Sequence, residues 1–254
     1  MKKIAFTLAE VLITLSILGV IAAISIPNMV NNFRKKQTEV ALLRAYTMIE
    51  KALDVSQAIY GPYKTWDGIN NNTCVSNTGF AEKYILPGLP QIAYKCNYSG
   101  TNGYQVRTKC FKDNPKDVTG ALYTSGWADY NGASHNAAYR LKNGMSIGFL
   151  NGYYAAHFCT ILIMTVDING PDKGKNQFGS DIFFFSLKYR TQVSTIEPVF
   201  EPGMLGLNNK YASGIDKNCS INSKTSDGVL KGGLCAAKIA KNGWKIPKDY
   251  PVKF

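Results

Sequence analysis

The sequence predicts an α+β protein, in which a long N-terminal helix is followed by a head built on an antiparallel β-sheet. Three observations lead to this fold class. An apolar run from Phe6 to Ile26 contains one carboxylate, Glu10, and is followed by Pro27. Apolar residues then recur at helical spacing up to about Tyr60. Beyond that point the chain changes to short strand-like runs separated by turn residues.

The long helix is predicted in two halves with different surroundings. Residues 6–27 are apolar on all sides apart from the one carboxylate, and a membrane-spanning helix needs about 20 such residues. Residues 28–60 are amphipathic and should lie on the sheet. Pro27 removes a backbone hydrogen bond and should kink the helix, and Gly61-Pro62 should end it. The apolar face of the second half consists of Ala41, Ala45, Met48, Ala52, Val55 and Ile59.

The head is predicted to contain one clear hairpin. Asn143-Gly144 lies between the strand-like runs Tyr139–Lys142 and Met145–Leu150, and this dipeptide favours a two-residue hairpin turn. The chain after Pro198 is rich in Gly, Lys, Asn and Ser, so we expect it to be mostly loop. The other predicted strands are Ile92–Tyr98, Tyr104–Cys110, Ala121–Thr124, the long central strand Tyr154–Val166, and Asp181–Leu187.

Charge and cysteine content limit the class of protein. The net charge is +12, with basic residues scattered along the chain, so either solubility or an anionic partner such as nucleic acid explains it. The six cysteines suggest up to three disulfides in an oxidising compartment. The sequence contains no C-x-x-C pair and two histidines, which disfavours a zinc site. The cysteines are Cys74, Cys96, Cys110, Cys159, Cys219 and Cys235.

The first ten residues carry the most specific motif. Two lysines precede a short leader that ends at Ala5, and Phe6-Thr7-Leu8-Ala9-Glu10 follows before the apolar span. A secretory signal peptide is disfavoured because the apolar run is too long and no A-x-A site follows it. The motif resembles the class III signal of type IV pilins and pseudopilins. That resemblance implies cleavage between Ala5 and Phe6 by prepilin peptidase, followed by N-methylation of Phe6. The family usually has Gly at the position of Ala5.

The resemblance also implies how such a subunit would assemble. Glu10 would neutralise the freed amine of Phe6 on a neighbouring subunit and fix the axial register, since an ion pair in a low-dielectric bundle specifies geometry better than it stabilises. Thr7 and Leu8 would serve as recognition and packing positions, and Pro27 would end the filament-core segment. The implied organisation is a leader (1–5), a transmembrane and filament-core helix (6–27), an amphipathic helix (28–60) and a pilin-like head (61–254).

The function implied is that of a structural subunit of a type IV pilus or type II secretion pseudopilus, without catalytic residues. Its partners would be copies of itself or related subunits, prepilin peptidase, an assembly ATPase and the inner-membrane platform. It would cross the bacterial inner membrane once, with an extracytoplasmic head, before entering a pilus at the cell surface. Many pilins close a C-terminal loop with a disulfide, which here implies Cys219–Cys235.

The segment from Asp167 to Asp181 is a candidate metal loop. Its oxygen-bearing side chains alternate with three glycines, which would let the chain curl around an ion. Calcium takes six to eight oxygen ligands, and some pseudopilins bind calcium in a comparable loop. A turn-rich connector whose Asp and Asn side chains cap backbone groups is the alternative, and both interpretations remain open. The candidate ligands are Asp167, Asn169, Asp172, Asn176 and Asp181.

Two other classes of function remain compatible with the sequence besides a structural subunit. A pilin-like head that captures DNA or serves adhesion would use the basic and aromatic residues, although sheet packing explains the aromatics equally well. A domain of other function on a plain signal-anchor is the second alternative. The motif Gly144-Met145-Ser146-Ile147-Gly148 fits a nucleophile elbow, but it lies in a predicted hairpin rather than between a strand and a helix.

Overall fold

The structure is a computed structural model that describes residues 7–67, 78–96, 109–112, 115–123, 137–151, 154–155, 158–189, 198–203, 214–222 and 230–254. The chain forms two compact units. The first unit is residues 1–37 with Phe254, and the second is Thr38–Lys253. Each unit is described separately below.

A single helix, α1, runs from Leu8 to Tyr60, in agreement with the predicted long helix. Pro27 lies inside it, and the helix continues on both sides of the proline. The helix ends where Gly61 adopts a φ of +82°, and the Gly61 N–H donates to the carbonyl of Gln57 at 2.9 Å. A glycine in this left-handed conformation is a common end to a helix because it has no Cβ to clash.

The first unit is the apolar part of α1. Nearly all its described side chains up to Val30 are exposed, including Leu8 at 79% and Met29 at 75%. By length and composition this helix could cross a membrane, which agrees with the predicted span. A helix that exposes apolar side chains in every direction requires lipid or other helices around it.

Among the described residues, the second unit is built on an antiparallel sheet of seven strands. The sequence predicted an antiparallel sheet here. The strand order is β1-β2-β3-β5-β6-β7, and β4 pairs with the end of β5. The predicted hairpin is confirmed, because β2 and β3 pair across the turn at Asn143-Gly144. The strands are β1 (Ile92–Cys96), β2 (Ala137–Leu141), β3 (Ser146–Asn151), β4 (Tyr154–Ala155), β5 (Phe158–Asp167), β6 (Ile182–Tyr189) and β7 (Pro198–Pro202).

Short helices accompany the sheet. They are α2 (Thr78–Tyr84), α3 (Ile215–Asn218) and α4 (Cys235–Lys241), with 3₁₀ turns at Tyr63–Thr65 and Leu86–Gly88. The segment after Pro198, which was expected to be mostly loop, also contains the short elements β7, α3 and α4. Each is too short for hydrophobic periodicity to reveal it.

Two strand predictions also need correction. The run Tyr154–Val166 forms two antiparallel strands, β4 and β5, instead of one. Both strands are apolar, so composition gave no sign of the reversal between them. Ala121–Thr124 is not a strand in its described residues, where Leu122 forms an isolated bridge with Lys116. The predicted strand Tyr104–Cys110 lies mostly outside the described residues.

The core lies on both faces of the sheet. On one face the inward side of α1 packs with alternate residues of β5 and β6, including Met164, Phe183 and Phe185. On the other face Ile163 and Phe184 pack with residues of α4 and its surroundings. A strand buried on both faces carries no polar alternation, which explains the continuous apolar run in β6. The α1 residues in the first cluster are Leu42, Ala45, Ile49 and Leu53, each fully buried.

Two disulfides join described residues of the head. Cys219 is bonded to Cys235, which links α3 to α4 and is the pairing that the resemblance implied. Cys96 is bonded to Cys110. Cys74 and the side chain of Cys159 lie outside the described residues.

Candidate functional site

The carboxylate in the apolar helix forms hydrogen bonds within its own first turn. The N–H and Oγ1 of Thr7 both donate to Glu10 Oε2, at 2.8 Å each. In return the Glu10 N–H donates to Thr7 Oγ1 at 3.3 Å. This reciprocal pair is a capping box, which satisfies donors that the start of a helix leaves unpaired. Ala5 and Phe6, where processing is expected, lie outside the described residues.

The sequence carried a signal for this local arrangement. Thr7-Leu8-Ala9-Glu10 is a T-x-x-E pattern, which marks the start of a helix. The resemblance to type IV pilins implies a partner for Glu10 on another subunit. The geometry adds a second role, because Thr7 reduces the cost of holding this carboxylate among apolar side chains. Leu8, the expected packing position, remains exposed beside it.

The second candidate site is the loop between β5 and β6. Asp167 ends β5 and Asp181 immediately precedes β6, so the sheet fixes both carboxylates at one end of a strand pair. Asp167 Oδ1 accepts the N–H groups of Asn169 and Gly170, at 3.2 and 2.8 Å. Asp181 accepts the N–H groups of Asn176 at 2.8 Å and Gln177 at 2.6 Å.

Several buried oxygens in this loop lack a hydrogen-bond partner. They are Asp167 Oδ2, Asn169 Oδ1 and Asn176 Oδ1. Asp167 is fully buried and Asn176 is 4% exposed, so water does not reach them freely. An unpaired buried acceptor costs about 1–3 kcal/mol, and more if it is charged. Three such atoms in one short loop therefore need a common explanation.

The electrostatics of the loop also favour a positive partner. Burial, together with the neighbouring carboxylate of Asp181, raises the pKa of Asp167 to about 8. Burial likewise raises the pKa of Asp181, against the opposing effect of its backbone hydrogen bonds. Two carboxylates held close together out of water repel one another unless a proton or a cation lies between them.

The loop has the composition of a calcium site rather than a transition-metal site. Among the described residues, no three His, Cys, Asp or Glu side chains group together as metal ligands. Two carboxylates combined with two amide oxygens suit a hard cation that accepts carbonyl and carboxylate ligands. Asp167, Asn169, Asn176 and Asp181 are the residues that fit this role.

Asp172 does not join this group. Its carboxylate is exposed and pairs with the guanidinium of Arg140 at 2.8 Å. The backbone conformation of the loop also depends on glycine. Gly174 has a φ of +73°. A Cβ at this position would collide with the side chains of Asn169 and Asp181. Asn176 itself has a φ of +49°, a conformation uncommon outside glycine.

The residues between Asn176 and Asp181 connect distant parts of the head. The Asn176 carbonyl accepts the N–H of Lys116 at 2.8 Å. The Ser180 carbonyl accepts Thr38 Oγ1 of α1 at 3.3 Å, and the Gly179 carbonyl accepts Tyr250 Oη at 2.6 Å. The loop is therefore a junction between α1, the sheet and the C-terminal segment, which we define as residues 242–254 after α4.

The G-x-S-x-G motif does not form a nucleophile elbow. Ser146 begins β3 and is fully buried, and Gly144 lies in the hairpin turn before it. A nucleophile elbow places its serine in an exposed turn between a strand and a helix. His157 lies outside the described residues.

These features define an α+β protein with an apolar N-terminal helix, a disulfide-linked antiparallel sheet and an oxygen-rich loop at one end of that sheet. The chain belongs to DUF6613, a family of unknown function, whose profile matches residues 28–254. The matched region starts directly after Pro27 and so contains the whole second unit. Comparison with curated proteins and comparison with solved structures both gave no match.

Proposed function

We propose that this protein is a pilin-like structural subunit that is anchored and polymerised through its N-terminal helix. The observation that carries the proposal is one carboxylate, Glu10, at the start of the exposed and mainly apolar first part of α1, residues 8–30. A carboxylate is rarely placed in such a helix without a functional reason. The motif from Ala5 to Glu10 and the amphipathic packing of residues 38–60 on an antiparallel sheet support the same class of protein.

In the proposed assembly, the hydrogen bonds between Thr7 and Glu10 are present in the subunit before it polymerises. Thr7 satisfies Glu10 while the subunit is stored in the membrane. After cleavage, the amine of Phe6 on a neighbouring subunit provides a positively charged partner, which adds a Coulombic attraction that the neutral donors of Thr7 lack. Subunits would then add at one axial offset, and the exposed apolar side chains would exchange lipid contacts for helix contacts.

The test is made on the full chain, expressed with a prepilin peptidase and an assembly system. We expect mass spectrometry to find N-methylated Phe6 as the first residue. Glu10→Ala should be cleaved and inserted into the membrane but should lose filament formation, measured by shearing and electron microscopy. Asp54→Ala is the matched control, because Asp54 is an exposed carboxylate on the same helix. An uncleaved N-terminus, or equal filament yields for both variants, would contradict the proposal.

A second proposal concerns the loop, and the three buried oxygens without partners favour it. We propose that Asp167, Asn169, Asn176 and Asp181 hold a calcium ion, which would supply positive charge to these oxygens. Because the loop joins α1, the sheet and the C-terminal segment, the ion would stabilise the head as a whole. A ligand at one hundred times its Kd stabilises a folded protein by about 2.7 kcal/mol.

The calcium proposal is tested by thermal unfolding of the purified full chain. We expect excess calcium, compared with a chelator, to raise the Tm, and Asp167→Asn and Asn176→Ala to abolish that rise. Asp172→Asn is the control and should keep the full calcium response, since its carboxylate faces Arg140 instead. Magnesium should have a weaker effect because it demands a tighter octahedral geometry. A wild-type Tm that does not respond to calcium would refute the site.

A further inference from the structure

The turn of the β2–β3 hairpin lies directly against the loop between β5 and β6. A Cβ built on Gly170 would come within 2.5 Å of the Gly144 carbonyl oxygen, so this close approach requires glycine. Arg140 of β2 also reaches the loop, where its guanidinium pairs with Asp172 at 2.8 Å. The hairpin is therefore a direct neighbour of the candidate calcium site, and it carries the G-x-S-x-G motif that the proposed function does not use.

Ser146, the serine of that motif, lies opposite Asp167 in the sheet. The two residues are a register pair of β3 and β5. Residues directly opposite each other in an antiparallel pair have side chains on the same face, with Cβ atoms about 4.5–5.5 Å apart. The Ser146 hydroxyl is therefore a neighbour of the Asp167 carboxylate, at the end of the strand from which the loop departs.

Both side chains carry a buried oxygen that has no hydrogen-bond partner among the described residues. These atoms are Ser146 Oγ and Asp167 Oδ2, and both residues are fully buried. A serine hydroxyl can donate to a carboxylate, yet these two oxygens do not bond to each other. An unpaired buried polar group costs about 1–3 kcal/mol. One occupant between the two oxygens would remove both costs.

A hard cation is the occupant that suits both oxygens. Calcium binds oxygen at about 2.3–2.6 Å, so it can join two oxygens roughly 5 Å apart, which is beyond hydrogen-bond reach. It takes about six to eight oxygens, and the loop offers unpaired ones from Asp167, Asn169 and Asn176. The Asp181 carboxylate already accepts two backbone N–H groups. A hydroxyl from the adjacent strand would add a ligand without adding charge.

An unpaired hydroxyl alone does not identify a ligand. Thr165 Oγ1 and Ser186 Oγ are also buried without a partner in the described part of the chain. Neither residue lies opposite Asp167, whose partner on β6 is Ile182, four residues before Ser186. At about 3.3 Å per residue, Ser186 is about 13 Å further along the sheet. Among these three hydroxyls, that of Ser146 is the one opposite a carboxylate oxygen in the same unpaired state.

We propose that Ser146 is a ligand of the calcium ion through its Oγ, and that the ion joins the β2–β3 hairpin to the loop between β5 and β6. This inference deepens the calcium proposal and rests on it. Because β3 pairs with β2 on one edge and β5 on the other, the sheet fixes the position of Ser146. The serine of the G-x-S-x-G motif would then serve metal binding instead of catalysis.

The first test compares Ser146→Ala with wild type by thermal unfolding of the full chain in one detergent. In excess chelator the Tm of the variant should equal or exceed that of wild type, because the change removes an unpaired buried hydroxyl. The rise in Tm that calcium causes should be smaller in the variant. Calcium should also bind it at least about tenfold more weakly, since even outer-shell partners contribute this much to metal affinity.

Ser186→Ala is the matched control for this test. It removes the same hydroxyl from another fully buried serine of the sheet. Its Tm should differ from that of wild type by the same amount in calcium and in chelator, because Ser186 is remote from the loop.

Terbium luminescence supplies a measurement that a purely structural role would not change. Terbium is a hard cation that takes oxygen ligands, and its luminescence decay in ordinary and heavy water counts the water molecules bound to it. Loss of a serine ligand should leave a position for water. Terbium on Ser146→Ala should therefore carry about one more water than on wild type or Ser186→Ala, and calcium should displace it from all three proteins.

The outcomes separate this inference from the calcium site itself. A wild type that shows neither a calcium response nor calcium-displaceable terbium contradicts the site and, with it, the role of Ser146. An unchanged number of waters on terbium, or a calcium response of Ser146→Ala equal to that of wild type, contradicts the role of Ser146 and leaves the loop site standing. An equal loss of the calcium response in Ser186→Ala would indicate a general effect on the sheet and would also overturn the inference.

Discussion

At the scale of single residues, the most informative positions are those where one close neighbour restricts which side chain the chain can carry. Glu10 is the clearest example, because its carboxylate accepts both hydrogen-bond donors of Thr7. Gly88 is another: it lies so close to α1 that a Cβ would be 2.5 Å from the Cα of Ala52. Buried Ser56 hydrogen-bonds the Tyr84 carbonyl in the same region. Small residues therefore set how closely α2 and its 3₁₀ turn approach the long helix.

Gly88→Ala should destabilise the head by about 1–3 kcal/mol, since overpacked cores respond with backbone shifts of this cost. The change is measured as a lower Tm of the purified full chain, with near-UV circular dichroism reporting on the nearby Trp66. Gly243→Ala is the control, because Gly243 has a φ of +67° but nothing within 4 Å of its Cβ position. It should lose only about 1 kcal/mol from the left-handed backbone. Equal losses in the two variants would show that close packing at Gly88 is unimportant.

At the scale of elements, the C-terminal segment is held by a lysine that lies between two carboxylates. Lys238 of α4 bonds to Asp249 in the segment and to Asp216 of α3. Its side chain is 9% exposed, so an unpaired ammonium there would be unfavourable. The Cys219–Cys235 disulfide joins the same two helices covalently. Together these contacts place α3, α4 and the segment as one layer against the sheet.

Low pH should weaken the packing of α3, α4 and the C-terminal segment and lower the Tm. The hydrogen bond and charge of Lys238 hold the pKa of Asp249 below its usual range. Because the pKa is lower in the folded protein than in the unfolded chain, the pair contributes stability above the unfolded pKa and loses it as the pH falls through the folded pKa. The Tm difference between wild type and Asp249→Asn should therefore shrink below a pH of about 4.

The measurement is the Tm of wild type and of Asp249→Asn across a pH series, with both full-length proteins in one detergent. Asp54→Asn serves as the control for removal of an exposed carboxylate, since none of the described ion pairs involves Asp54. A gap between wild type and Asp249→Asn that stays constant down to the most acidic point would contradict the pairing with Lys238. The pairing would also be contradicted if Asp54→Asn showed the same pH-dependent Tm difference from wild type.

At the scale of the whole molecule, the two units obey different physical requirements. The first unit exposes apolar side chains in every direction and needs lipid or other helices. The second unit has buried clusters on both faces of its sheet and two disulfides among described residues. The family match begins at residue 28, close to the boundary between them.

Removal of residues 1–27 should therefore yield a soluble, folded head. The shortened chain should fractionate without detergent, form the Cys96–Cys110 and Cys219–Cys235 bonds in an oxidising compartment, and show the β-rich circular dichroism of the full chain. Peptide mapping under non-reducing conditions checks the disulfides. Aggregation of the shortened chain, with the full chain folded in detergent, would contradict the independence of the second unit.

The sequence by itself determined the features that depend on local pattern. The apolar length of residues 6–27, the helical spacing up to Tyr60, the glycine after it and the Asn143-Gly144 hairpin each arise from residues close together in the chain. Local periodicity and turn chemistry are sufficient for such features. The T-x-x-E pattern of Thr7 and Glu10 is equally local, and it indicates the helix cap that the structure shows.

Only the tertiary structure decided the features that depend on which segments meet. The reversal between β4 and β5 carries no turn signal that composition reveals, and α3 and α4 are too short to show a period. The separation of Asp172 from Asp167, Asn169 and Asn176 follows from its ion pair with Arg140 on β2, which no spacing in the loop predicts. The burial of the unpaired oxygens of Asp167, Asn169 and Asn176 also depends on tertiary packing. These oxygens are shielded from water only when the sheet, α1 and the C-terminal segment pack together.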